Sequence, residues 1–559
     1  MHDRVLRAGP GPRSVTAFWS RNDVRVLGTL LSAIALAAPR VHALAQHCDS
    51  TISRVGLSAL ADQPIRAVNV AVLPPAALPS AARAFARLHT ATRESTIRRD
   101  LLFAPGDLID SVRVAESMRR IRMLPYVEDA QLVARTCSDS AGVAITVVTR
   151  DAWSEQPIVA VRPRSVALGL SESNALGSGI FARLTLQSDL QGLGGGASIH
   201  DPALWGARVD GQAGATVYTD GDAWNFALHP RRRTIADAWT ADLRGIGSYR
   251  DVEHGNGDAF DQARVIMLGG RRLTSELAAH AVYLLVGAEA ERASVVWSPL
   301  EPLLGRSLVN RRFVGVDVGV HRRSTRYDTL GWVLRHDGIV DVPSGTEGEL
   351  VTGFGRDGAD GREKTHVDGW LGRVWTLNNR SLLVSGLWTS GYLTRESLEA
   401  GAARASMVSV TPAANGAWVL RMAAEQLFNP DPNVRALASI DPIGVMLPRW
   451  AWLASAAGSA SLERDFRLLD VSRWTELDAA LFGGFARRWD SAVGDADAGA
   501  SIVGLGLRLA PSRTPGATLR VDVGYPVGYR IGMRARPVVA LSITPWLTVG
   551  RQRDGLQQP

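Results

Sequence analysis

The sequence has very few of the residues that mark zinc-binding and helical membrane proteins. It contains two cysteines, Cys48 and Cys137, and neither belongs to a CxxC pair or a Cys/His cluster of the kind that holds structural zinc. Aromatic residues make up only 6% of the 559 residues, and Lys364 is the only lysine among 62 basic residues. Beyond residue 45 there is no run of about 20 apolar residues, the length that a spanning helix needs. These absences exclude a zinc-finger protein and a polytopic helical membrane protein.

The composition that remains is half apolar and rich in glycine. Hydrophobic residues make up 46% of the chain, glycine numbers 55 against 27 proline, and the mean hydropathy is +0.01. A chain this apolar buries enough surface to fold, so disorder over its whole length is excluded. The formal charge of +7 comes from scattered arginines. Because these lack the interleaved aromatic residues of a base-stacking surface, no nucleic-acid partner is expected.

Residues 1–45 have the three parts of an export signal peptide. A basic segment is followed by an apolar stretch over 26–38 and by the small-x-small site Ala43-Leu44-Ala45. Residues 46–64 form a polar leader. The mature chain is therefore expected in the periplasm or the outer membrane, where Cys48 and Cys137 form a disulfide in one interpretation and remain free thiols in the other.

Residues 65–152 have the pattern of a small α+β domain. A β-like run over 65–72 precedes two helical stretches, predicted at 80–102 and 110–123, the second with Asp110 as N-cap. Two strands follow, predicted at Tyr126–Ala134 and Gly142–Thr149. The expected order of elements is therefore β-α-α-β-β.

Residues 165–555 are dominated by alternation of apolar and polar residues. Three clean segments each have one wholly apolar face: Val314, Val316, Val318 and Val320; Val503, Leu505, Leu507 and Leu509; Leu519, Val521, Val523 and Tyr525. Glycine, aspartate and arginine occupy the opposite faces. This alternation fits a soluble sandwich or barrel with the apolar face inside, and equally a membrane barrel with that face in lipid.

Three features favour the membrane barrel: the export signal, the length of the β-rich region, and the polar inserts at 251–262 and 356–366. At about 10 residues per tilted strand plus connections, the region predicts about 16 strands, within a range of 14 to 18. The predicted fold is thus mainly β, a transmembrane antiparallel barrel preceded by one small α+β domain. Its interfacial aromatic belts are predicted to include Trp388, Trp450, Trp474 and Trp546.

No catalytic or cofactor motif passes its structural test. The GxGxxG pattern at 353–358 precedes no helix, and it is interpreted as a glycine-rich loop between strands. P-loop, HExxH and GxSxG motifs are absent from the sequence. Asp357, Asp360 and Glu363 are Ca²⁺ ligands in one interpretation and a solvated acidic loop in the preferred one. We therefore expect a non-enzymatic protein with no cofactor and no metal.

Short motifs give the chain a resemblance to a known family. The segment Thr96–Asp107, followed by Glu116–Arg122 and Tyr126–Ala130, resembles a polypeptide-transport-associated (POTRA) domain. Ser171–Gly179 resembles the start of the first barrel strand in the BamA/TamA-like bacterial surface antigen superfamily. Leu462–Phe466 and Ala480–Gly484 resemble its late-barrel "E-x-R … F-x-D-x-G" region, with Glu463 and Arg464 as the motif residues.

The resemblance has three departures from the family pattern. Insertion-competent members carry an Arg-Gly-Tyr/Phe tip on a loop inside the lumen, and Arg449 in Leu447-Pro448-Arg449-Trp450 is the nearest counterpart, without the glycine. Glu463 and Arg464 are adjacent where the family has Glu-x-Arg. The chain also ends in Gln557-Gln558-Pro559 rather than an aromatic residue, so the last strand is predicted to end near Thr548.

The resemblance implies a monomeric outer-membrane barrel, with its POTRA-like domain in the periplasm, that assists the insertion or export of polypeptides. Its implied partners are outer-membrane lipid, unfolded polypeptide clients and periplasmic assembly factors. Two alternatives stay open: a passive or lipid-related channel, and a secreted soluble β-protein with a binding role.

Overall fold

The structure is a computed structural model, and it describes the chain from residue 61 to residue 545 with gaps. The gaps are 76–88, 137–141, 163–164, 190–191, 207–208, 220, 231–236, 251–258, 276–279, 298–309, 325, 332–338, 378–380, 396, 430–455, 473–474, 490–497, 512–516 and 528–535. Among the described residues, no helix is long and apolar enough to cross a bilayer.

An α+β module comes first, with three strands and two helices among its described residues. The strands are β1 (Ile65–Leu73), β2 (Val127–Thr136) and β3 (Val143–Asp151), and the helices are Glu94–Arg98 and Ser111–Arg122. The sheet order is β1-β3-β2, with β3 parallel to β1 and antiparallel to β2. Asp110 caps the longer helix, because its carboxylate accepts from the N–H groups of Val112 and Arg113. Val114, Met118 and Ile121 pack the helix into the core of the module.

The helix predicted at 80–102 is wrong over most of its described length. Residues 89–93 and 99–102 are not helical, and only Glu94–Arg98 forms a helix. Residues 89–99 instead run along a barrel turn and exchange backbone and side-chain hydrogen bonds with it, as set out below. These tertiary contacts outweigh the local helical preference of the segment.

The second part of the molecule is a closed antiparallel barrel. Its strands are β4 (Glu155–Arg162), β5 (Ser165–Ala175), β6 (Ile180–Asp189), β7 (Gly192–Asp201), β8 (Val209–Tyr218), β9 (Gly221–Pro230), β10 (Trp239–Arg250), β11 (Ala259–Arg272), β12 (His280–Trp297), β13 (Arg311–Ser324), β14 (Arg326–Gly331), β15 (Ile339–Asp357), β16 (Glu363–Leu377), β17 (Ser381–Leu393), β18 (Leu398–Ala413), β19 (Gly416–Phe428), β20 (Ala456–Ser472), β21 (Thr475–Trp489), β22 (Ala498–Pro511), β23 (Ala517–Val527) and β24 (Val538–Pro545). A short 3-10 helix, Leu204–Gly206, lies between β7 and β8.

The described barrel has 20 strands, so the predicted number of about 16 is wrong. β13 and β14 count as one strand, because both pair with β15 on a single continuous register. The predicted strand number was too low because it allowed too many residues for each connection. Only two residues connect β4 to β5, β18 to β19 and β20 to β21. The barrel also begins at Glu155, ten residues before the predicted boundary, because β4 is its closing strand.

The alternating faces are turned as in a membrane barrel. Val314, Val316 and Val318 point outward with 65, 60 and 46% exposure, whereas Asp317 between them is fully buried. β22 and β23 repeat this arrangement, with valine, leucine and tyrosine outside and glycine, arginine and aspartate inside. A soluble barrel would bury its apolar face. The structure therefore favours the membrane barrel over the soluble sandwich or barrel that the sequence pattern fits equally well.

The two ends of the barrel differ in their connections. The turns β5–β6, β14–β15 and β18–β19 lie at the end next to the module, here called the module end. The opposite end carries the three longest connections, 298–310, 429–455 and 528–537. Short periplasmic turns and long outer loops are typical of outer-membrane barrels.

The predicted aromatic belt is wrong for Trp388 and lies outside the described residues for Trp450, Trp474 and Trp546. Trp388 faces inward against a cluster of Ala402, Leu427 and Ala457, because its neighbour Leu387 occupies the outer face. Other tryptophans point outward near the two ends, namely Trp239 and Trp418 at the module end and Trp224 and Trp489 at the opposite end. An exposed aromatic belt is thus present, made of different residues.

Candidate functional site at the barrel seam

The barrel closes through a short seam between its first and last strands. Only two described register pairs join β4 to β24, Val161 with Leu541 and Ala160 with Ser542. The flanking pairs β4–β5 and β23–β24 each contain eight. Because backbone hydrogen bonds hold strands together, the seam is the weakest junction among the described strands of the ring.

The seam ladder ends at Ala160 and Ser542, and a proline pair lies three residues beyond it toward the module end. Continuing the register of the two pairs would bring Pro157 opposite Pro545, and neither residue has a backbone N–H to donate. The β4–β5 ladder runs unbroken past Pro157, so its missing donor falls on the side that faces β24. Sequence reasoning did not identify this pair, because the two prolines become partners only when the barrel closes.

The inner wall next to the seam is held by an ion-pair network centred on Glu463. This carboxylate is fully buried, and Oε1 accepts from Arg508 at 2.8 and 3.2 Å. Its Oε2 accepts from Arg421 at 2.9 Å and lies 3.7 Å from Arg520. One carboxylate therefore joins β19, β20, β22 and β23, and its partners make the predicted motif residue Glu463 a structural centre of this wall.

The network ends on Asp522, one strand before the seam. Arg508 donates to this carboxylate at 2.5 Å. The space that both side chains use is left by Gly506, where an added Cβ would overlap Asp522 and Arg508. β19–β23 thus form a cross-linked wall, whereas β24 and β4 meet through two backbone pairs. Any opening of the ring is expected at the seam.

Arg464 lies on the other face of the same strand. It points outward, and its guanidinium stacks over the Phe466 ring at 4.5 Å and lies 5.6 Å from the centre of Trp418. Since successive residues of a strand face opposite sides, adjacent Glu463 and Arg464 cannot act together in the lumen. The structure separates the two predicted motif residues.

A second ion-pair network lies on the inner wall away from the seam. Arg264 contacts Glu289 at 2.8 Å and Asp368 at 3.4 Å, and its Nη2 lies 3.0 Å from Nδ1 of His366. Glu291 accepts from Tyr392 at 2.6 Å and from Arg311 at 2.7 Å. Five strands are tied together here, and the lumen surface is charged on both sides of the barrel.

The acidic loop considered as a Ca²⁺ site is already occupied by the ammonium group of the single lysine. Nζ of Lys364 lies 2.9 Å from Asp357, 3.1 Å from Asp360 and 2.9 Å from Glu399. Within the described part of the chain, no group of three or more His, Cys, Asp or Glu residues fits a metal ion.

The predicted glycine-rich loop at 353–358 is also wrong, since β15 extends to Asp357.

The module binds the β5–β6 turn of the barrel, and two segments singled out in the sequence meet there. The carbonyl oxygen of Gly177 in the β5–β6 turn accepts from the Arg93 N–H and from the Thr96 hydroxyl, both at 2.9 Å. Asn174 donates to Thr92 at 2.8 Å, and Arg99 donates to the Ser178 carbonyl at 3.2 Å. The Ser171–Gly179 segment is therefore a docking turn for the module.

A second contact joins the module to the far side of the barrel rim. Arg122 at the end of the longer helix donates to Asp341 at 2.6 Å, and Arg119 lies over the Tyr327 ring at 3.5 Å. In the ring of 20 described strands, the β5–β6 turn joins positions 2 and 3, and β14–β15 occupies positions 10 and 11. The module therefore reaches across the lumen opening at its own end.

A titratable pair lies between the module and the seam strand. Nε2 of His89 is 3.3 Å from Asp151, the last residue of β3, and the same Asp151 oxygen accepts from the Thr92 N–H at 2.9 Å. The Asp151 carboxylate, followed by the charges of Glu155 and Glu172, raises the pKa of His89 above its ordinary value of 6.5.

Stability of this junction is expected to depend on pH. Because the folded-state pKa of His89 is raised, its contribution is fully present below pH 6.5 and is lost as pH rises through the raised pKa. The thermal unfolding midpoint at pH 6 should exceed that at pH 8.5 by a larger margin in the natural chain than in His89→Gln. Identical pH profiles for both proteins would contradict a role for this pair.

Three predicted site residues lie outside the described residues: Arg449, Cys48 and Cys137. The loop-tip and disulfide predictions therefore stay predictions. Arg421, Arg508 and Arg520 were missed in the sequence. Each lies on the inner face of a strand whose outer face is apolar. An arginine at an inward position of such an alternating segment could have predicted a role in the lumen.

No protein-family model and no curated protein sequence matches the chain. Among solved structures, it is similar to BamA from Haemophilus ducreyi lacking POTRA domains 1–3, at 12% identity and a TM-score of 0.33, covering 85% of this chain and 84% of that one. CdiB from Escherichia coli is similar at 9% identity and a TM-score of 0.39, covering 88% and 80%. The FrpB iron transporter from Neisseria meningitidis is similar at 8% identity and a TM-score of 0.37, covering 89% and 97%. The assignment of a barrel fold to this chain is based on its own strand pairing.

Proposed function

We propose that this protein is an outer-membrane barrel of the BamA/TamA-like surface antigen type that assists the insertion or export of polypeptides, without enzymatic activity. The observation that carries the proposal is the seam, where two described backbone pairs close a ring of 20 strands. A polypeptide strand or a lipid needs such a junction to pass between the lumen and the bilayer. The exposed apolar outer face supports an outer-membrane location over a secreted soluble protein.

The module supplies a candidate docking strand for an unfolded client. Two strands predicted from the sequence, β2 and β3, are candidates for this role, and β3 is excluded because it is central in the sheet and has both edges paired. β2 pairs only with β3 among the described strands and leaves one edge available for strand addition. We propose β2 as the client-binding edge of the periplasmic POTRA-like domain. Periplasmic assembly factors remain proposed partners.

The geometry couples this module to the seam. β3 ends at Asp151, and the seam strand β4 begins at Glu155, so three residues separate the sheet of the module from the barrel closure. The contacts of Arg93 and Thr96 with Gly177 hold the module against the hairpin that follows β4. Movement of the module on client binding would therefore pull on the first strand of the seam.

Deletion of residues 65–152 tests the proposal. We expect the levels of other outer-membrane proteins to fall, measured by quantitative proteomics of outer-membrane fractions. Heat-modifiable gel mobility provides the folding control, since a folded barrel migrates faster before boiling. In Arg119→Gln/Arg122→Gln, the contacts with Tyr327 and Asp341 are lost together with the Arg119–Glu116 pair inside the helix, and a smaller decrease is expected. An unchanged outer-membrane proteome with a folded deleted chain would contradict the proposal.

A passive channel is the second candidate, supported by the charged inner wall built around Glu463 and Arg264. The two functions differ in planar-bilayer recordings. A channel should give a steady current that persists in the full chain, whereas a barrel covered by its module should give little. Steady conductance combined with unchanged outer-membrane protein levels would favour the channel.

A further inference from the structure

The outer wall beside the seam contains an apolar groove. Its volume is about 960 Å³, and it crosses β19 to β23, from Trp418 near the module end of β19 to Tyr525 near the opposite end of β23. The apolar lining consists mainly of Trp418, Leu462, Leu481, Val503, Leu505 and Tyr525. Each of these side chains is at least 43% exposed, so the surface is large, contiguous and open to the bilayer.

One charged side chain, that of Arg464, interrupts this apolar surface. Its guanidinium donates to three backbone carbonyls, those of Ala417 at 3.3 Å, Asp465 at 2.5 Å and Ala414 at 2.5 Å. The Asp465 carboxylate is on the other face of β20 and is buried. Arg464 forms no ion pair with any carboxylate in the described part of the chain.

Arg464 lies near the module end of the barrel, where the proposed function places the periplasmic surface of the bilayer. It reaches Ala414 in the β18–β19 turn, which lies at the module end of the barrel. Phe466 and Trp418 stack near it, as aromatic and basic residues do at a membrane interface. The apolar groove begins at this charge and continues toward the middle of the bilayer.

We propose that this groove, the Arg464 groove, binds one anionic phospholipid of the periplasmic leaflet. The guanidinium takes the headgroup phosphate, and the acyl chains lie along Leu462, Leu481 and Val503. A guanidinium at the bilayer surface favours a lipid of net negative charge over a zwitterionic one of the same chain length. The leaflet assignment rests on the proposed function, in which the module lies in the periplasm. The bound lipid would lie two strands from the seam and would stabilise the wall next to it.

Lipid binding to the purified full chain tests the inference. The chain, its heat-modifiable mobility verified, is titrated in detergent with phosphatidylglycerol or with phosphatidylcholine of identical acyl chains, and bound lipid is counted by native mass spectrometry. We expect one tightly held phosphatidylglycerol and about tenfold weaker binding in Arg464→Gln, the change for losing one charge-assisted contact. Arg464→Lys keeps the charge and should retain most of the binding.

Arg487→Gln is the matched control. Arg487 is also on the outer wall and lies 5.7 Å from the Trp489 ring, but at the opposite end of the barrel, so its loss should leave binding unchanged. Equal binding of phosphatidylcholine, unchanged binding in Arg464→Gln, or an equal loss in Arg487→Gln would each overturn the inference. So would binding that appears only after removal of residues 546–559, because the occupant would then be the chain's own C-terminal segment. Binding is independent of client insertion, so the proposed function can fail while this site stands.

Discussion

Replacing Glu463 with glutamine is expected to lower the free energy of unfolding of the barrel by about 3 kcal/mol, the cost of removing one partner from a buried ion pair. The carboxylate is fully buried and accepts from Arg421 and Arg508, with Arg520 at 3.7 Å. The amide is isosteric but neutral, so three guanidinium groups would be left with Asp465 and Asp522 as their acidic neighbours. Repulsion among them would separate β19, β22 and β23.

Urea unfolding of the refolded barrel in lipid vesicles, followed by heat-modifiable mobility, measures this change. Glu363→Gln provides the control, since it makes the same chemical change at an exposed position at the start of β16 and should stay within about 0.5 kcal/mol of the natural chain. A Glu463→Gln barrel as stable as the control would show that the network contributes no net stability. Gly506→Ala should destabilise in the same direction, because it displaces Arg508 from Asp522.

The sequence pattern was sufficient to predict the alternating faces and most of the module. Val314, Val316 and Val318 all fall on one face as predicted, and Asp110 caps the helix that was expected to begin beside it. Both patterns are local: a strand repeats every two residues, and a helix cap is defined by its own first turn. Local patterns also predicted a closed antiparallel barrel, which the strand pairing confirms.

The features that depend on pairing between distant strands could not be predicted. Glu463 was singled out, but its partner Arg508 is 45 residues away, and the two meet only through a register across three strands. The strand number failed for a related reason, since connection lengths are not visible in a periodic pattern. Leu387 and Trp388 are adjacent apolar residues, and either could have pointed outward. The sequence alone does not show that Trp388 is the one that points inward.

Replacing both seam prolines with valine is expected to lengthen the seam ladder and to reduce client insertion. Pro157→Val and Pro545→Val would each restore one backbone N–H at positions that the seam register places opposite each other. At about 1 kcal/mol net per new hydrogen bond, the double variant should be about 2 kcal/mol more stable. Pro412→Val is the control, because Pro412 pairs with Ala417 inside an intact ladder far from the seam.

A disulfide across the seam that can be formed and reduced distinguishes an effect of seam closure from an effect of misfolding. Ala160 and Ser542 are register partners, so Ala160→Cys/Ser542→Cys, with Cys48 and Cys137 changed to serine, places two thiols across β4 and β24. Oxidation should stop client insertion in reconstituted vesicles, and a reductant should restore it in the same sample. Unimpaired insertion through the oxidised barrel would mean that clients do not pass the seam. A current that persists in both redox states would then identify the lumen, rather than the seam, as the route.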